Sequence, residues 1–322
     1  GGARQLWYTW WPRDQPMNIL LAPDGPVDAG ATLARYHLWG EDPANRLAGT
    51  ALLRVLRRGT RLVPYEVRCG GSVDEPRIAV RVPGVRDAAL GDAVTAEVRR
   101  LFGLDFDLGS FYRMAKGDPA LAPLVGPLHG LRPTLAPSPL EMLVGSITAQ
   151  QVNLSFAFAC RARLVRRYGV PIALGRHTVW AFPDAATLAR ARLRDFRAMK
   201  YSRRKGEYIR DLARAVVAGE LDLGTLAAAP NEEVVARLTR QRGLGRWTAD
   251  WFLARCLGRG DVCPAGDLAV RKAFDRYYGR GRSLSEAAIR RRARAWGEHQ
   301  NVAVHYLLAG MRLEQRKAGG GA

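Results

Sequence analysis

Apolar and polar positions alternate in two different rhythms along the chain. In the first third, LLRVLRRGTRLVPYEVRCGG (52–71) and PRIAVRVPG (76–84) show short runs broken by Gly and Pro, which read as β-strands. VRDAALGDAVTAEVRRLFGL (85–104) then takes up the three-to-four-residue spacing of an amphipathic helix. An α+β domain over residues 1–115 is the expectation.

Beyond residue 116 strand signals nearly vanish. Helical periodicity covers 139–169, 185–198, 203–218, 231–241, 246–257, 267–278, 285–296 and 300–315. Boundaries are marked by Ser138 before Pro139, Pro183-Asp184, Pro230-Asn231 and Ser283-Leu284-Ser285-Glu286. A mainly α-helical domain over 116–318 follows, with 319–322, the end of KAGGGA, as a flexible tail. No internal repeat is visible.

Charge adds a partner to this picture. Fifty Lys+Arg against thirty Asp+Glu give a formal +20 on 322 residues, which suits a polyanion, nucleic acid before an acidic membrane surface. A solvated basic surface is the bland alternative. No apolar run is long enough to span a bilayer. Residues 1–14, GGARQLWYTWWPRD, lack a signal-peptide pattern and read as an added leader before the protein's own start. The expected setting is cytoplasmic, associated with the nucleoid. Cys69, Cys160, Cys256 and Cys263 have no metal-knuckle spacing, and the five histidines fit no metal-binding frame, so no metal site and no cofactor is expected.

The most informative stretch is RGLGRWTADWFLARCLG, 242–258. A helix ending near Gln241, a turn at Gly243-Leu244-Gly245 and a new helix from Arg246 would aim backbone N–H groups and a positive helix end at one point, where a phosphate would bind. Glycine takes left-handed angles cheaply and lets another backbone come close. Arg242 and Arg246 flank the turn and add charge, and Thr248 lies in the first turn behind it. An ordinary helix–helix connection has the same outline.

GLGRWTAD (243–250) followed by GRGDVCPAGDLAVRKAF (258–274) resembles the helix-hairpin-helix DNA glycosylases, in which such a hairpin precedes a Gly/Pro-rich loop and a catalytic Asp. SPLEMLVGSITAQQVNLSFAFACRARLVRRYG (138–169) looks like the family's helix bearing the DNA-inserting turn. SRRKGEYIRDLARAV (202–216) looks like the helix leading toward the hairpin. These blocks cover most of 138–310. A preceding β-rich domain and the lack of an iron–sulfur Cys quartet are similar to the alkyl-base branch. The resemblance implies a TATA-binding-protein-like fold for the first domain, with TLARYHLWGEDPAN (32–45) near the pocket entrance, though it assigns no residue there.

The chemistry is coherent with those residues. Breaking an N-glycosidic bond puts positive charge on the sugar, so one carboxylate beside C1′ stabilises the transition state and can orient water. Asp267 follows CPAG and opens an apolar-periodic helix, which places it at a helix N-terminus; a plain N-cap is the structural alternative. Asp250, Asp261 and Asp275 are weaker candidates. Strand-cutting members of the family carry a hairpin lysine where this chain has Trp247, so the resemblance implies a monofunctional enzyme with no Schiff base. Lys272 lies in the wrong block for that role.

Excision from a duplex requires base flipping, hence a wedge and a pocket. By resemblance, Gln150 and Gln151 in AQQVN supply the wedge, with Gln151 where the alkyl-base branch has an apolar residue. Trp247 and Trp251, one helical turn apart, are assigned to an aromatic pocket that attracts a cationic base. Core packing is the rival explanation for both. Trp296 fits the family pocket, whereas His299 stands where the alkyl-base branch has Trp, and WGEHQNVA leans toward the 8-oxoguanine branch. The reading is a monomeric glycosylase acting on damaged purines, alkylated ones first, in double-stranded DNA. The alternatives are an 8-oxoguanine or uracil/mismatch glycosylase and a non-catalytic damage sensor.

Overall fold

The computed structural model describes residues 17–319; the leader read at 1–14 and residues 320–322 lie outside them. In chain order the elements are β1 (Asn18–Leu21), α1 (Ala29–Leu33), α2 (Arg35–Leu38), β2 (Asn45–Ala48), β3 (Ala51–Arg58), β4 (Arg61–Gly71), β5 (Pro76–Arg81), α3 (Ala88–Leu101), α4 (Leu108–Ala115) and α5 (Ala122–Val125). There follow α6 (Pro139–Ala149), α7 (Leu154–Tyr168), β6 (Val170–Leu174), β7 (His177–Ala181), α8 (Ala185–Ala189), α9 (Leu193–Ala198) and α10 (Arg203–Val217). Last come α11 (Asn231–Thr239), α12 (Arg246–Arg255), α13 (Leu268–Tyr278), α14 (Glu286–Ala293) and α15 (Gln300–Gly319).

β1–β5 form one antiparallel sheet in the order β1-β5-β4-β3-β2. The inner strand β3 is apolar on both faces because both are covered. Leu52 and Leu56 pack toward α3, while Ala51, Leu53 and Val55 pack on the β6–β7 hairpin. That hairpin is a strand signal the helical reading missed. The segment 139–169 also divides at Gln150–Asn153, and 185–198 divides between α8 and α9. Ser138, Asp184 and Ser285 cap helices with their side chains as expected, whereas Pro230 is the N-cap of α11 without a side-chain bond.

Two apolar cores fill the helical part. One gathers α6, α7, α10, α11 and α12 through Ile147, Leu164, Leu212, Leu238 and Phe252. The other gathers α4, α13, α14 and α15 through Phe111, Phe274, Ile289 and Tyr306. Trp251 packs against both, so α12 is the seam between them.

A buried ionic network joins the sheet to α6 and α7. Arg54, on β3, donates from Nε to Glu97 (2.9 Å) and from Nη2 to Glu141 (2.8 Å), and its side chain is 4% exposed. Arg161 on α7 donates to the other oxygen of Glu141 (2.6 Å) and to Asp42 (3.0 Å). Burial alone would raise the Glu141 carboxyl, but the two arginines hold it down to about 2. The network therefore fixes the base of the α6–α7 pair, whose other end carries the Gln150–Gln151 turn.

Candidate active site

Asp267 is the N-cap of α13. Its Oδ1 accepts from the backbone N–H of Ala269 (2.8 Å) and Val270 (3.1 Å), the cap that sequence spacing predicts. Its Oδ2 accepts from the indole N–H of Trp247 at 2.7 Å and of Trp251 at 3.1 Å. Both tryptophans stand on one face of α12, one turn apart, which is why two donors converge on one oxygen. Their N–H edges are thus committed to the carboxylate. Trp247 remains half-buried, and Arg255 lies 6.0 Å from the Trp251 ring.

The remaining candidate carboxylates are occupied elsewhere. Asp250 is buried between Arg246 (2.8 Å) and Arg290 (2.6 Å), Asp261 accepts from Asn231, and Asp275 accepts from Ser283 and the Leu284 N–H.

The hairpin takes the expected outline. Gly243 has φ +89, and a Cβ there would lie 2.3 Å from Cγ of Tyr208 on α10, so two reasons exclude any side chain. Leu244 is buried beneath the turn. Gly245 is the N-cap of α12 at φ −110, with no side-chain cap and open space around it. Its lack of a Cβ thus leaves the first N–H groups of α12 approachable from outside.

The two arginines expected to flank the turn do so, and each is paired with a carboxylate. Arg242 pairs with Glu207 (3.1 Å) and Asp211 (3.4 Å) and lies over the Tyr208 ring; Arg246 turns back to Asp250. These carboxylates compete for the charge a phosphate would use. Thr248 is 1% exposed, so it faces the interior rather than a ligand at the turn.

The Gln150–Gln151 turn lies against this hairpin. Gln150 caps the C-terminus of α6, and its Nε2 donates to the Gly243 carbonyl at 2.8 Å. Gln151 is exposed with φ +53, a left-handed conformation that a residue with a Cβ holds only under strain. Leu154 and Phe156, each 42% exposed, border it at the start of α7.

Trp296 and His299 are not brought to Asp267. Trp296 is 2% exposed in the second core, where it donates to Asp118 Oδ2 (3.0 Å) and packs on Phe274 and Tyr278. Full burial leaves it no face for a base, which corrects the pocket expectation. His299 Nε2 lies 3.2 Å from Ser110 Oγ on α4, and burial lowers its pKa. It points to the α4 side because Gly297, at φ +53, kinks the chain just before it.

Sequence reasoning did not single out His305. On α15, its ring meets Trp251 edge to face, 6.0 Å between centroids. Asn301 one turn earlier ties α15 to the end of α12 by donating to the carbonyls of Ala254 (2.7 Å) and Arg259 (3.0 Å). The i, i+4 spacing from Asn301 is the one signal available for it.

A hairpin whose second helix presents two indole donors to a helix-capping Asp belongs to the helix-hairpin-helix class of DNA glycosylase folds. The chain is a member of the HhH-GPD superfamily of base excision DNA repair proteins, whose pattern matches residues 144–299. It is 31% identical over 216 residues to the DNA-3-methyladenine glycosylase of Bacillus subtilis, spanning 67% of this chain and 71% of that one. The 3-methyladenine DNA glycosylase of Archaeoglobus fulgidus superposes with a TM-score of 0.83 at 26% identity, over 92% of this chain and 98% of the other. The 8-oxoguanine glycosylase/lyase of Clostridium acetobutylicum, solved with double-stranded DNA, shares the fold at TM-score 0.72 and 18% identity, over 92% and 98% of the two chains. Among the described residues no helix is long and apolar enough to cross a membrane.

Proposed function

We propose that this protein is a monofunctional DNA glycosylase that flips an alkylated purine out of duplex DNA and hydrolyses its N-glycosidic bond, initiating base excision repair. The observation that carries the reading is Asp267, held at a helix N-terminus and oriented by two indole N–H groups. A carboxylate fixed there meets the positive charge that grows on the sugar as the base departs. Half-buried Trp247 is the ring we assign to stacking, and a cationic alkylated base gains cation–π attraction from it that a neutral base does not. With Trp247 in place of a hairpin lysine, no amine attacks C1′, and the product is an abasic site.

Duplex binding rests on the N–H groups exposed at Gly245 and on the +20 surface, with Gln151 entering the stack and Gln150 fixing its turn to the hairpin. We read the N-terminal sheet and α3 as the TATA-binding-protein-like layer of this family, acting as the platform behind the wedge. We take the monomer as the working unit. The test is release of free base from duplexes containing 3-methyladenine, 7-methylguanine, 8-oxoguanine or uracil, with Asp267→Asn as control. Alkylated purines are released by the wild type and not by the variant. Release of 8-oxoguanine alone, or of nothing despite tight DNA binding, overturns the reading.

A further inference from the structure

The N-terminal sheet carries a second cluster of chemistry on the face turned away from α3. Leu53 on β3 stands opposite Glu66 on β4, which in turn stands opposite Arg81 on β5. Residues opposite one another project from the same face, and Leu53 packs on the β6–β7 hairpin, so Glu66 and Arg81 share that face. Arg68, two residues along β4, joins them. Beside the hairpin lies a cavity of about 500 Å³, lined by this row and by the two turns Gly49–Thr50 and Gly175–Arg176. None of its lining belongs to α12, α13 or the Gln150–Gln151 turn.

The cavity is open and carries unbalanced charge. Three guanidinium groups, of Arg68, Arg81 and Arg176, meet one carboxylate, Glu66, which leaves a formal excess of two positive charges. Glu66 is already engaged, accepting from Arg68 Nε at 2.5 Å and lying 3.8 Å from Arg81 Nη1. Its side chain is 9% exposed against 44% for Arg68 and 22% for Arg81, so the cations face the solvent and the acid sits behind them. Arg176 is exposed on its turn and has no carboxylate partner among the described residues. Ala51, Leu53 and Leu174 add an apolar side.

A ligand carboxylate would balance one of the two charges. A phosphomonoester, at about −1.5 to −2 near neutral pH, balances both, and its three terminal oxygens give each guanidinium fork an acceptor. The volume falls in the range of small-ligand sites. We infer that this cavity is a phosphomonoester-binding site, in which Arg68, Arg81 and Arg176 hold the phosphate and the apolar side takes the organic group attached to it. A free nucleotide and the phosphorylated 5′ end of a DNA strand both carry that chemistry.

The test is calorimetric binding of dAMP, beside a lesion-free duplex with a 5′-phosphate and the same duplex with a 5′-hydroxyl. Wild type is compared with Arg68→Gln/Arg176→Ala and with Gly245→Asp, whose change is confined to the α11–α12 hairpin; thermal melting checks that each is folded. Saturable dAMP binding that weakens about tenfold in the double variant and persists in Gly245→Asp supports the inference with a free nucleotide as ligand. A preference for the 5′-phosphorylated duplex that the double variant loses, without dAMP binding, supports it with a strand end as ligand. Arg176→Ala alone, at an exposed turn, moves either signal in the same direction and does not depend on Glu66 keeping its partner. Binding of neither kind, binding unchanged in the folded variants, or dAMP binding lost in Gly245→Asp instead overturns the inference. Base release from a 3-methyladenine duplex stays at the wild-type rate in the double variant, which separates this site from the one at Asp267.

Discussion

Trp247 and Asp267, twenty residues apart in sequence, are joined by a 2.7 Å bond from the indole N–H to Oδ2, while Oδ1 of the same carboxylate caps α13. On the proposed reading, catalytic group and helix cap are one residue. We predict that Asp267→Asn lowers base release about a thousandfold while DNA affinity stays within a few-fold, because Asn still caps a helix but carries no charge. Its amide N–H₂ would face either the two indole donors or the helix N–H groups, so melting drops by an amount expected for about 1 kcal/mol. Single-turnover release and a gel-shift assay check both parts; release within tenfold of wild type refutes the assignment.

Trp247→Phe separates the two services of that side chain. The ring stays available for stacking, but Oδ2 loses its shorter bond. Release falls roughly tenfold, in keeping with one lost positioning bond, and rescue by raised enzyme concentration under single-turnover conditions would contradict this.

The two hairpin glycines fail differently when replaced. Gly243→Ala forces a Cβ against Tyr208 at positive φ and costs about 2–3 kcal/mol of stability, read as a shift of the urea midpoint. Gly245→Ala leaves stability nearly unchanged, since nothing lies within 4 Å. Gly245→Asp folds but binds duplex DNA more weakly by an order of magnitude or so; equal affinity would remove the phosphate from the turn.

Gln151 illustrates the opposite exchange. Gln151→Gly relieves the strain of φ +53 and stabilises the protein by about 0.5–1 kcal/mol, while the loss of the wedge lowers excision. Calorimetry and base release on the same sample decide it, and an unaltered excision rate would exclude the wedge role.

Acid stability has two windows. The unfolded chain protonates His305 near pH 6.5, the folded one only near 4, so stability declines as pH falls through this interval. Glu141, held at about 2 against an ordinary 4.5, contributes stability above 4.5 that is lost as pH drops from there toward 2. His305→Gln abolishes the upper decline and leaves the lower one. A melting series from pH 7 to 3 shows whether the curves merge above pH 6.5 and separate below it.

Much of this site was legible because local rules agree there. The turn glycine, the cap of α13 and the i, i+4 pair of tryptophans all act within a few residues, and their spacing survives folding. What was illegible depends on long-range pairing. SPLE at 138–141 has the spacing of a capping box, yet only the Ser138 half caps; Glu141 is drawn away by Arg54, eighty-seven residues earlier. Arg242 and Arg246 do stay exposed, but their carboxylate partners are invisible to composition. Trp296 looked like a pocket residue, but Asp118, no closer than 178 positions, claims its indole N–H. The β6–β7 hairpin escaped notice because its strands are five residues each and borrow their core from a sheet formed over a hundred residues before.

The four donors on Asp267 have one further consequence. A carboxylate offers about four lone-pair positions, and here the two backbone and two indole N–H groups fill them. Asp267 therefore has no vacant seat for a water molecule. On the proposed reading these four bonds fix both oxygens, so Asp267 acts through its charge beside the sugar rather than by holding a water of its own. On that reading the charge is set in place before the lesion arrives.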